Sequence, residues 1–93
     1  MKHKVTVPSE HKELTAINAL ALSNEIEKAQ TKDELVIDMC NVQYISAAGI
    51  GVIADACRTF KQVYVVNTSE KVLTILSVLG IDKYAKFEED GTE

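Results

Sequence analysis

The stretch LVIDMCNVQYISAAGIG, which runs from Leu35 to Gly51, decides the fold of this chain. Its first part, Leu35–Cys40, is a nearly continuous apolar run and predicts a strand that is covered on both faces. After a short connection, Ala47–Phe60 repeats apolar residues at helical spacing and predicts a helix whose first turn carries two glycines. A buried strand, a short loop and a glycine-flanked helix start are typical of α/β domains.

Outside this stretch, segments with strand and helix patterns alternate. The pattern predicts strands at Lys4–Val7 and Val63–Val66 and a last short strand at Tyr84–Glu88. It predicts a helix at Ala16–Ala29 that Thr15 or Asn18 could cap. A further helix after Val66 is expected to be capped by Thr68 or Ser69 and ended by Gly80. In the first helix, the face that we expect to be buried is formed by Ile17, Leu20, Ala21 and Asn24 and extended by Leu22, Ile26 and Ala29. The alternation predicts one small α/β domain over residues 1–93, with a mixed sheet of about four strands, three main helices and a frayed acidic tail at 89–93.

The composition is that of a small globular domain. Of the 93 residues, 46% are hydrophobic and 26% are charged, and the formal net charge is −4. No apolar run reaches the roughly 18 residues that a membrane helix needs, and the start of the chain lacks the apolar core of a signal peptide, so we expect a cytoplasmic protein. The negative charge disfavours nucleic-acid binding. Cys40 and Cys57 match no zinc spacing and are expected to be buried thiols, so no metal or cofactor is predicted.

Residues 13–87 resemble the STAS domain, the fold of the anti-sigma-factor antagonists. Glu13–Ala16 is similar to the family's entry to its first helix, and Leu35–Val42 to its leucine-aspartate-leucine strand, with Asp38 at the acid. The family's loop usually reads aspartate-serine-serine-glycine-leucine-glycine. The resemblance implies a partner-binding surface at the six matching positions, which are Ser46, Ala47, Ala48, Gly49, Ile50 and Gly51.

Three residues of this chain depart from that pattern at one spot. Ala48 stands where the family has the serine that a kinase phosphorylates, Ser46 stands where the loop has its aspartate, and Thr15 stands where a second aspartate faces the loop. Together they provide neither the nucleophile nor the charge that phosphoryl transfer uses. The resemblance therefore implies a degenerate phosphosite at Ala48, Ser46 and Thr15.

The loop residues each have a functional and a structural interpretation. Gly49 and Gly51 could let a partner or an anion approach the helix start, or they could simply allow tight packing between helix and strand. The Ser46 hydroxyl could be a displaced phosphosite or a helix cap, and the cap is the favoured interpretation. Catalysis is not expected, because no motif joins a nucleophile to an oriented base. Asp38 and Asp55 are separated by the loop and could pair as carboxylates, but we expect Asp55 on an exposed face of the helix.

The predicted function is therefore that of a non-enzymatic protein-interaction module. The resemblance implies a regulator of the anti-sigma-factor antagonist type that lacks the usual phosphorylation switch, and its partner would be an anti-sigma factor of the histidine-kinase-like ATPase type. One alternative is an accessory subunit that binds the ATPase of an ABC-type lipid transporter. Another is a small-ligand or nucleotide-binding domain that holds an anion at Gly49–Gly51.

Overall fold

The computed structural model describes residues 2–7, 13–40 and 42–88. Within them the chain forms strands β1 (Lys2–Thr6), β2 (Glu13–Leu14), β3 (Glu34–Asp38), β4 (Tyr44–Ile45), β5 (Gln62–Val66) and β6 (Lys86–Glu88), and helices α1 (Ala16–Glu27), α2 (Ala47–Thr59) and α3 (Glu70–Val78), with a short 3-10 turn at Ile81–Lys83. The prediction of a small α/β domain with three main helices is confirmed. The predicted frayed tail at 89–93 lies outside the described residues.

The main sheet has four strands in the order β1-β3-β5-β6. β3 is therefore central, as its apolar sequence predicts. All three pairings in this sheet are parallel, whereas a mixed sheet was expected. The reason is that a helix crosses over between each pair of neighbouring strands and returns the chain to the same end of the sheet. A second ladder, β2 with β4, is also parallel.

The three helices pack on one face of this sheet. The main core contains the strand residues that point to one face of the sheet, such as Leu35, Ile37 and Val65, together with residues from α1, α2 and α3. The sequence predicted that β3 is covered on both faces, and helices cover only one of them. The strand order advances in one direction without reversal, so crossovers of the same hand all fall on one face.

The opposite face of the sheet is covered by its own side chains. Val36 and Val66 point to this face and are nevertheless buried. They neighbour Tyr64, over whose ring the Lys2 and Lys86 ammonium groups lie at 5.3 and 5.9 Å from the centroid. Long aliphatic stems and an aromatic ring thus shield this face, which explains why the β3 sequence is apolar on both sides.

Helix α1 buries a different face from the one that its sequence pattern predicted. Its buried residues are Ala19, Leu22 and Ile26, whereas Ile17 and Leu20 are exposed. The helix is apolar on two sides, so its periodicity did not single out the buried face. Helix α3 matches its prediction, because the Ser69 side chain accepts a hydrogen bond from the Val72 amide at 3.3 Å and Gly80 adopts a left-handed φ of 83° just beyond the helix.

Candidate functional site

The short β2–β4 ladder positions the candidate site. Leu14 pairs with Ile45, so the chain leaves both strands at the same level and in the same direction. Thr15 and Ser46 follow immediately, and α1 and α2 begin one residue later. The backbone amide of Ser46 donates to the Leu14 carbonyl at 3.0 Å and ties the two helix starts together. The first turns of α1 and α2 therefore lie side by side.

The Ser46 hydroxyl is engaged in two hydrogen bonds. It accepts from the Gly49 amide at 3.4 Å and so caps α2. It also donates to the Leu14 carbonyl at 2.8 Å. Of the two interpretations of Ser46, the helix cap is therefore the one found in the structure. A hydroxyl held in this way is half-buried and faces the neighbouring strand.

The two glycines of the first turn have different surroundings. A Cβ placed on Gly49 would lie 2.8 Å from Leu14 Cγ and 2.9 Å from the Leu14 carbonyl oxygen, so only glycine fits there without a shift. A Cβ placed on Gly51 would have no described atom within 4 Å. Gly49 thus serves tight packing of helix against strand, and Gly51 leaves an open surface. The packing interpretation therefore applies to Gly49.

Small and uncharged side chains make up the exposed surface of this turn. Ala47, Ala48 and Gly51 are exposed, while Ile50 is half-buried at the edge of the core. Ala48, where the resemblance places the phosphoacceptor, therefore presents a methyl group to solvent. Tyr44, in the strand just before the helix, is also exposed.

Thr15 lies at the start of α1, next to Ser46. It occupies the N-cap position, but no capping hydrogen bond from its side chain is found within the described part of the chain. Asn18 does not replace it as a cap, because its side-chain amide donates to the Glu13 carbonyl at 2.6 Å and so accepts no bond from a helix amide there. The structure therefore brings Thr15, Ser46 and the first turn of α2 together.

The acids Asp38 and Asp55 do not form a pair. Asp38 is buried, and its Oδ1 accepts from the Cys40 amide at 3.0 Å and from the Asn67 side chain at 3.2 Å. Lys4 Nζ lies 4.0 Å from its second oxygen. These contacts join the carboxyl ends of β1, β3 and β5. Asp55 lies on the exposed side of α2, where it pairs with Arg58.

The two cysteines differ from each other. Cys40 was expected to be buried but is exposed, because β3 ends at Asp38 and the chain turns after Met39. Cys57 is half-buried beside the core, and this burial raises the pKa of its thiol. A raised thiol pKa leaves less nucleophilic thiolate at neutral pH, so Cys57 has the character of a packing residue.

The described residues contain neither a cluster of metal ligands nor a membrane-spanning helix. Across 2–7, 13–40 and 42–88, no group of three or more histidine, cysteine or acidic residues could hold a metal ion. Within the same ranges, no helix has both the length and the apolar character needed to cross a membrane.

Comparison with known proteins identifies the family. The family model for the STAS domain matches residues 4–91 of the chain. Since this match spans nearly the whole sequence, the protein belongs to the STAS domain family. None of the curated proteins compared with the chain matches it.

Two features of the site were missed in the sequence. The first is Leu14, whose carbonyl accepts from the amide and the hydroxyl of Ser46 and whose side chain limits position 49 to a glycine. A two-residue strand has no periodicity to reveal it. The second is the exposure of Ile17 and Leu20 in the first half of α1. The sequence did contain a signal for this exposure, because α1 has apolar residues on two sides and a surface helix can bury only one of them.

Proposed function

We propose that this STAS domain is a non-enzymatic protein-interaction module that binds its partner through Ser46–Gly51, the first turn of α2. The observation that carries the proposal is the difference in surroundings between Gly49 and Gly51. Gly49 fixes the turn against Leu14, whereas Gly51 and the adjacent alanines leave an uncharged, closely approachable surface. A rigid turn with an open surface can be bound without reordering, which lowers the cost of association.

The same turn supports a module without a phosphorylation switch. Ala48 has no hydroxyl, and the Ser46 hydroxyl is used by the Gly49 amide and the Leu14 carbonyl. A phosphate on Ser46 would have to break the bond in which that hydroxyl is the donor. We therefore propose that partner binding is constitutive and is not released by a kinase acting on residues 46–48.

The partner that fits family membership is an anti-sigma factor of the histidine-kinase-like ATPase type. A second candidate is the ATPase subunit of an ABC-type lipid transporter, for which this chain would be an accessory subunit. The missing phosphoacceptor favours this second candidate, because a permanent subunit has no need of a release step. A small anionic ligand at Gly49–Gly51 is less favoured, since the surface of the turn is open and carries no cationic side chain.

Differential affinity capture tests the proposal. The wild-type domain and the variant Gly51→Glu are immobilised and exposed to an extract of the source cells, and bound proteins are identified by mass spectrometry. Gly51→Glu places bulk and charge on the open surface, and a glutamate near a helix N-terminus does not oppose the helix dipole. We expect one ATPase to bind the wild type and to be absent from the variant. Identical capture by both proteins would refute the proposed surface, provided that circular dichroism shows both to be folded.

Val78→Glu is the matched control for this experiment. Val78 lies at the end of α3, is apolar and exposed, and belongs to a different helix. A charge added there tests whether any exposed glutamate disturbs binding. The partner should be captured by Val78→Glu as well as by the wild type.

A further inference from the structure

We draw no further inference here: the strongest candidate, the largely apolar cavity of about 420 Å³ that is lined by Ala54, Cys57 and Arg58 of α2 and by Ile81 and Tyr84 at the 3-10 turn, carries none, because nothing in the described part of the chain shows which molecule covers it.

Discussion

Replacing Gly49 with alanine tests how the first turn of α2 is held. The added Cβ would lie 2.8 Å from Leu14 Cγ and 2.9 Å from Leu14 Cδ2 and the Leu14 carbonyl oxygen. The side chain could shift, but the carbonyl is held by the Ser46 amide and hydroxyl at 3.0 and 2.8 Å. The clash therefore forces either the helix or the β2–β4 ladder to move.

The size of the effect follows from two opposing contributions. Alanine favours a helix over glycine by about 0.5–1 kcal/mol, and this gain applies to Gly49 and to Gly51. Overpacking costs about 1–3 kcal/mol and applies to Gly49 alone. Because the helix gain cancels in the comparison, Gly49→Ala should be less stable than Gly51→Ala by about 1–3 kcal/mol. Gly51→Ala should be slightly more stable than the wild type, since its Cβ meets no described atom within 4 Å.

Urea unfolding followed by circular dichroism measures this difference directly. The wild type, Gly49→Ala and Gly51→Ala are compared at equal concentration, and the free energies of unfolding are obtained by linear extrapolation. If Gly49→Ala is as stable as Gly51→Ala, the close approach of Leu14 to α2 is wrong. The assignment of one glycine to packing and the other to the surface would then have to be abandoned.

Three further predictions concern the same turn and the nearby thiol. Ser46→Ala should lower the free energy of unfolding by about 0.5–2 kcal/mol, because it removes the α2 cap, and an unchanged urea midpoint would contradict this. The wild type should gain no phosphate on residues 46–48 from a family kinase and ATP. The variant Ala48→Ser should gain little phosphate, because Ser46 and Thr15 provide no acidic side chains. Stoichiometric phosphate on the wild type, measured by intact-mass spectrometry, would refute the proposal that the phosphorylation switch is lost. In a Cys40→Ser background, alkylation of Cys57 by iodoacetamide should reach its half-maximal rate at a higher pH than alkylation of an unstructured cysteine peptide, because burial raises the pKa of Cys57 and reduces its thiolate fraction at each lower pH. A midpoint at or below that of the peptide would count against the burial of this thiol.

The elements with a strong local signal were predictable from the sequence. The apolar run of β3, the glycines at the start of α2 and the cap and stop of α3 each fix local structure through neighbouring residues. The parallel sheet with helices on one face was less accessible, because the direction and hand of the crossovers depend on the order of the strands. The apolar outer face of β3 was misleading, since the neighbours that cover Val36 come from other strands.

The details of the site depended on contacts between distant segments. The buried face of α1 could not be assigned because Ile17 and Leu20 compete with Leu22 and Ile26 in the same periodic pattern. The different roles of Gly49 and Gly51 depend on Leu14, which lies more than thirty residues away in sequence and meets Gly49 only through the β2–β4 ladder. The six positions of the proposed partner surface were named from the resemblance, and which of them are exposed became visible only in the folded chain.

The most direct test of the central proposal is the affinity of the Gly51→Glu domain for the proposed ATPase partner in purified form, measured by isothermal titration calorimetry beside the wild type and Val78→Glu. Circular dichroism establishes that all three proteins are folded. We expect Gly51→Glu to bind about thirtyfold or more weakly than the wild type, because the added side chain occupies the surface on which the partner packs, while Val78→Glu binds normally. A folded Gly51→Glu domain that binds within about threefold of wild type would contradict the proposal and place the partner surface elsewhere, with the edge strand β1 as the next region to test.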